Sequence, residues 1–143
     1  VTFAGNAKYV VGGAKLNVIQ VRRVADGQPM ASLRAEGVFC LAASKDGRWI
    51  AAGTERRELV VWDAQTYQRV FEHKESYAIV QAVDFSPDST QLMSSTSCTA
   101  TVWDITTSRR LQTLGHQRWL IAAKYSPQGD RIATATPGSV HIW

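Results

Sequence analysis

His116, Thr134 and Asp104 are the residue types of a nucleophilic triad: an imidazole base, a hydroxyl and a carboxylate to orient the base. Such a set would attack an acyl or phosphoryl centre, provided that the three side chains converge. Other chemistry-bearing side chains are few. The histidines at 73, 116 and 141 lack metal-ligand spacing to one another or to Cys40 and Cys98. Two cysteines make neither a disulfide framework nor a zinc signature. Set in VFCLAA and TSCTAT, they read as reduced thiols in packed or turn positions. Asp46, Asp88 and Asp130 recur in or beside turns, and turn chemistry accounts for them better than calcium does. Gly12-Gly13 is no phosphate cradle, since no helix follows it. Neither a metal nor a cofactor is expected.

The elements that would position these groups follow from the rest of the chain. Its 143 residues, 45% hydrophobic and 20% charged, suit a globular domain. No run of about 18 apolar residues occurs, so no transmembrane helix and no membrane partner are expected. The net charge of +4 comes as separated pairs, Arg22-Arg23, Arg56-Arg57 and Arg109-Arg110, which read first as solvated loop ends. The start at Val1, without a Met or a leader, and the stop at Trp143 suggest a segment of a longer protein.

Trp62, Trp103 and Trp143 stand 41 and 40 residues apart, and 41 residues before Trp62 lies Val21. Each anchor closes a strand-like run: NVIQV (17–21), LVVW (59–62), ATVW (100–103) and VHIW (140–143). Turn segments keep the same phase: AGNAKY (4–9), SKDGRW (44–49), SPDSTQ (86–91) and SPQGDR (126–131). Small-residue runs follow them, VVGGA, IAAGT, LMSST and IATAT, and after each complete copy's anchor comes a polar turn with one more strand. Met30, Val70 and Leu111 are equivalent within those last strands. No segment keeps a 3.6-residue apolar period, so no helix is expected. Each period therefore reads as four strands in about 41 residues, repeated along the chain. A unit this small must stack its sheet against copies of itself. Small second-strand residues near a crowded axis, with aromatic residues outside, suit a radial stack.

With VVWD (60–63), TVWD (101–104), DFSPD (84–88), KYSPQGD (124–130) and LGH (114–116) in phase, the chain resembles the WD-repeat β-propeller family. The resemblance covers about three and three-quarter repeats, approximately 1–40, 41–81, 82–121 and 122–143, the last without its outer strand. It implies an all-β fold of four-stranded antiparallel blades in an incomplete ring, with about four blades in this chain.

It also implies a relay of His, Ser or Thr, Asp and Trp bracing each blade. In the last copy His116, Thr134 and Trp143 match, and the Asp position falls near Pro137-Gly138. In the third, Ser94 and Trp103 match, with Ser76 for His and Ser97 for Asp. In the second only Trp62 matches, beside Arg34, Ala52 and Arg56; the first has Val21 for Trp. His73 aligns with Leu33 and Leu114 and is not counted as a relay member.

The same resemblance places Asp104 on the rim opposite His116, which argues against the triad, and no enzyme is expected. The expected role is a non-catalytic protein–protein interaction scaffold within a larger propeller protein. Its candidate partner-binding rim carries Arg56, Arg57, Tyr77, Arg118 and Trp119, types enriched at binding hot spots. Proteins or peptides are the expected partners, together with self-association or the remaining blades. Nucleic acid on a basic rim is the less expected alternative, and ring closure with other copies is another. An isolated arc would expose two apolar blade faces. A cytoplasmic location is expected, with the nucleus as the alternative.

Overall fold

The computed structural model describes residues 1–4, 9–14, 17–75 and 78–143. These form fifteen strands in four antiparallel sheets, with no helix among the described residues. The first sheet is β1 (Thr2–Ala4), β2 (Tyr9–Ala14), β3 (Val18–Arg23) and β4 (Pro29–Arg34); the second is β5 (Val38–Ala43), β6 (Trp49–Thr54), β7 (Glu58–Asp63) and β8 (Arg69–Lys74). The third is β9 (Ala82–Phe85), β10 (Gln91–Ser95), β11 (Thr99–Asp104) and β12 (Arg110–Gly115), and the fourth β13 (Ala122–Tyr125), β14 (Ile132–Thr136) and β15 (Ser139–Ile142). Every sheet is a simple meander, and the four are blades of an open, unclosed ring.

The turns explain why these segments reverse where they do. Between the first two strands of a blade, Ser44 Oγ donates to Asp46 Oδ1 at 2.6 Å and accepts from Trp49 N at 2.8 Å. Ser86 repeats this with Asp88 and Gln91, and Ser126 with Asp130 and Arg131. Of the turn segments named above, AGNAKY falls largely on residues 5–8, outside the described ones. Between the third and fourth strands the Asp that follows the anchor Trp closes the turn. Asp63 Oδ1 accepts from Gln65 N and Thr66 N, and Asp104 Oδ1 from Thr107 N and Thr106 Oγ1. Bonds from the Thr66 amide and the Thr107 amide hold these two carboxyls below the ordinary 3.8.

Alternation along each strand sends successive side chains to opposite neighbours. From β6 and β7, Ile50, Ala52, Val60 and Trp62 face the first blade, where Val11, Ile19, Val21 and Leu33 meet them. Trp49, Ala51, Leu59 and Val61 face the third blade and pack with Val83, Phe85, Leu92 and Trp103. Met93, Ala100, Val102 and Leu114 in turn meet Leu120, Ala123 and Ile132 of the fourth. A polar clasp adds to this last interface: Asp84 accepts from Tyr125 N and from Lys124 Nζ, both at 3.0 Å. The closest approach is at Gly53, where a methyl group would lie 2.5 Å from Val80 Cγ1 and 2.6 Å from Cys40 Sγ.

A bulge in the outer strand pair serves as a ruler for the repeats. The register shifts between Val61 and Trp62, between Val102 and Trp103, and between Val21 and Arg22. The anchor position of the first blade is therefore Arg22, not Val21, and Val21 matches Val61 and Val102 on the face toward the next blade. The interval there is 40 residues rather than 41.

The two open faces differ in composition. On the first blade, Gln20 and Arg22 stand where the second has Val60 and Trp62. They are held by Ser32 Oγ and Gly27 O, and Phe3, on the same face through its pairing with Val10, is 62% exposed, so that face is mixed rather than wholly apolar. On the fourth, Val140 and Ile142 repeat Leu59 and Val61. Those two are 0% exposed between blades, whereas Val140 is 69% and Ile142 58% exposed.

Two outcomes are expected. Gly53→Ala lowers stability by about 1–3 kcal/mol through overpacking, read as a lower urea midpoint at unchanged slope; an unchanged midpoint would contradict the close approach. Val140→Ser with Ile142→Ser shifts the purified chain toward monomer in sedimentation velocity, and identical sedimentation would show that this face drives no association.

Candidate functional site

The anchor tryptophans are the first place where candidate residues meet. Trp103 Nε1 donates to Ser94 Oγ at 2.9 Å, and Trp143 Nε1 to Thr134 Oγ1 at 2.8 Å. Each joins the third strand of a blade to its second across one strand pair. Trp62 is buried in the same setting, but Ala52 stands where the hydroxyl would be. An arginine lies over two of the rings: Arg69 is 5.7 Å from the Trp62 centroid and Arg110 5.4 Å from that of Trp103. Both follow their Trp by seven residues. That recurrence is legible in the sequence, but the stacking is not, because it depends on how the fourth strand pairs with the third.

The histidines take up different places. His116 lies edge-on to Trp143 at 5.4 Å and to His141 at 5.1 Å, and no hydrogen bond joins it to Thr134 among the described residues. Its Nε2 is buried without a partner. Burial, and then the neighbouring His141, hold its pKa below the ordinary 6.5. His73 pairs with Leu59 as Leu33 does with Ile19 and Leu114 with Ala100. Its ring nonetheless lies 4.5 Å from Trp103, where Phe71 also packs edge-on. Sequence reasoning passed over this contact because only the folded outer strand carries His73 onto the next blade's indole.

Two assignments made by counting change here. Backbone bonds from Ala35 N to Asn17 O, Glu75 N to Arg57 O and His116 N to Cys98 O mark one place in three blades. The residues equivalent to His116 are thus Ala35 and Glu75, not Arg34 and Ser76. From Leu33, His73 and Leu114 to the next turn serine the chain runs 11, 13 and 12 residues, so counting back from the turn misses by one.

The triad does not assemble. His116 is bonded beside Cys98 at one end of β11, and Asp104 closes the turn at the other. Six residues of strand separate them by roughly 16–20 Å. Among the described residues no group of three or more His, Cys, Asp or Glu could hold a metal ion. Burial pushes the Cys40 thiol up to about 11, and its Sγ donates to Val80 O, so it is a packing group.

On the rim, Arg56 forms an ion pair with Glu36 at 2.6 Å. Arg57, at φ 69°, sits in the same turn of the second blade. Arg118 Nη1 reaches Pro137 O at 3.4 Å, and Trp119 is 65% exposed. Tyr77 and Ser76 lie outside the described residues. Arg56 opens on a cleft of about 540 Å³ between the first two blades, ringed by Arg34, Arg69, Glu36, Glu58 and Glu72 as well. Arg118 opens on a cleft of about 360 Å³ between the last two, walled by His116, Thr136, Ser139, His141 and Trp143. The rim candidates thus fall into two groups rather than one continuous basic surface.

The WD domain, G-beta repeat family matches residues 27–63, 65–104 and 108–143. The pre-mRNA-splicing factor cwf17 of Schizosaccharomyces pombe is 28% identical over 103 residues, 70% of this chain and 30% of that protein. A WD repeat-containing protein of Deinococcus radiodurans is 29% identical over 133 residues, 80% of this chain and 51% of its own. The U3 small nucleolar RNA-interacting protein 2 of Mus musculus is 35% identical over 60 residues, 41% of this chain and 12% of that protein. The solved structure of U3-55K superposes with a TM-score of 0.87 at 22% identity, covering 99% of this chain and 47% of that one, a likeness of fold. The matched stretches span about half or less of these relatives' lengths. Their names correct the expectation of a cytoplasmic protein: one is a pre-mRNA-splicing factor and another interacts with small nucleolar RNA, names that point to pre-mRNA and the nucleolus.

Ser94→Ala is expected to cost about 1–3 kcal/mol, because it leaves the buried Trp103 indole N–H without an acceptor. Equilibrium urea unfolding reads this directly, and a midpoint equal to that of the parent chain would mean that the bond contributes nothing.

Proposed function

The chain belongs to the WD domain, G-beta repeat family, and from that premise we propose that it is a non-catalytic interaction platform whose rim engages RNA within a larger assembly. WD40 propellers present surfaces to proteins and other macromolecules, and two of the relatives carry RNA-related names. One observation of this chain carries the reading: Trp119 is 65% exposed, and its neighbour Arg118 forms no ion pair among the described residues. An exposed indole offers a base a stacking surface worth about 1–3 kcal/mol. A guanidinium with no carboxylate against it offers a phosphate a forked donor. The position has no fold-level need for a large aromatic, since Gly37 and Ile79 hold it in other copies.

A second reading, binding of a peptide, draws on the cleft between the first two blades. There Arg34, Arg56 and Arg69 alternate with Glu36, Glu58 and Glu72, a balance that suits a mixed-charge chain better than a polyanion. Arg56 belongs to that reading more than to the RNA one.

Fluorescence anisotropy with labelled single-stranded RNA tests the proposal. Affinity is expected to fall linearly in logarithm with salt and to drop about tenfold in Trp119→Ala. No binding at low salt, or a Trp119→Ala variant that binds as tightly as the parent, would remove RNA from the account.

A further inference from the structure

The cleft between the first two blades and that between the last two are the same place two repeats apart, yet they differ in charge. Leu33 and Leu114 are equivalent, which sets Glu36 against Gln117. Trp62 and Trp143 are equivalent, which sets Glu58 against Ser139 and Val60 against His141. Two of the first cleft's glutamates, Glu36 and Glu58, therefore have uncharged equivalents in the second, while Glu72 lies on an outer strand with no counterpart in the fourth blade, and no carboxylate lines the second among the described residues.

What it carries instead are donors. Among the described residues Arg118 makes one hydrogen bond, at 3.4 Å to Pro137 O. Thr136 Oγ1 and Ser139 Oγ lie 2.7 Å apart, and Ser139 Oγ lies 3.1 Å from His141 Nε2, so two hydroxyls and an imidazole form a chain along one wall. His116 forms another part of the wall, and its Nε2 is the buried side-chain polar atom that lacks a partner among the described residues. A permanent cation, two imidazoles and two hydroxyls around one concavity attract an oxyanion and offer it bonds from several directions.

We propose that the cleft between the third and fourth blades is a phosphate-binding site, occupied by a backbone phosphate of an RNA strand whose base stacks on Trp119. The proposal rests on the RNA reading above and names the seat within it. Arg118 supplies the charge, while Ser139 and Thr136 supply hydroxyl donors. A small turn of the His116 ring gives its Nε2 the acceptor that the protein does not provide.

Ser139→Glu tests it by placing here the carboxylate that Glu58 holds in the sister cleft. Arg118→Ala removes the cation, and Arg131→Ala removes an equal charge from the opposite rim as the control. Anisotropy of labelled single-stranded RNA on the full chain at low salt, with melting curves to verify folding, should show at least tenfold weaker binding for the first two. Arg118→Ala should also make the salt slope shallower by about one, and Arg131→Ala should bind within about twofold of the parent. If the parent binds RNA and folded Ser139→Glu binds equally well, the phosphate seat is wrong and the RNA reading stands. Should the parent bind no RNA but take a phosphoserine peptide that Ser139→Glu rejects, the RNA occupant is wrong and the cleft is a phosphopeptide seat. Binding of neither RNA, phosphopeptide nor inorganic phosphate overturns both.

Discussion

Every interior sheet of this protein has to bury both of its faces, and most of what the chain contains follows from that constraint. A four-stranded meander has two faces of similar area, and a lone one would leave half of its apolar side chains in water. Stacking face to face removes both from solvent, which is why β6 is buried at all six positions. It also requires small residues where neighbouring sheets come nearest, as at Gly53 against Cys40 and Val80. Trp62 and Trp103 both point back toward the preceding blade, because each pairs with the same position of its second strand, Ile50 and Leu92. The first face relaxes the same constraint in part: Gln20 and Arg22 replace Val60 and Trp62 there, beside an exposed Phe3.

The bracing of each blade is simpler than a four-member relay. Two blades retain a single bond from the indole N–H to a hydroxyl, Trp103 to Ser94 and Trp143 to Thr134. Around the rings, arginines from the fourth strand and aromatic side chains from the preceding blade replace the missing polar members. Arg69, Arg110, Phe71 and His73 all act in this way. The Asp after Trp62 and after Trp103 has a separate task, closing a turn, and Asp104 does so at the opposite end of its strand from His116. This separation of tasks along one strand is what dissolves the catalytic appearance of His116, Thr134 and Asp104.

Because the sheets carry the stability, the loops at strand ends are free to differ, and their differences are where function can lie. Equivalent clefts between blades have drifted apart, one toward balanced charge and one toward donors alone. Trp119 belongs to the same freedom. It sits on a loop that tolerates glycine or isoleucine elsewhere in the chain, and it faces water instead of a core.

The residues alone determined the period, the strand and turn types, the serine and aspartate pairs that close the turns, and the membership of the tryptophans in one recurring place. Those are local properties: β-branched runs, turn chemistry and spacing need no knowledge of what packs on them. Parity and convergence were decided only by tertiary structure. A strand's faces alternate every residue, so one residue more or less in a loop moves an assignment to the other side. That is how Arg22 displaced Val21, and how Ala35 and Glu75 displaced Arg34 and Ser76. The split of Arg56 and Arg118 into separate clefts, and the meeting of His73 with Trp103, depend on which blade lies alongside. Linear spacing does not contain that information, because the contacts join residues about 30 to 40 positions apart through a stack that exists only once the sheets have closed on one another.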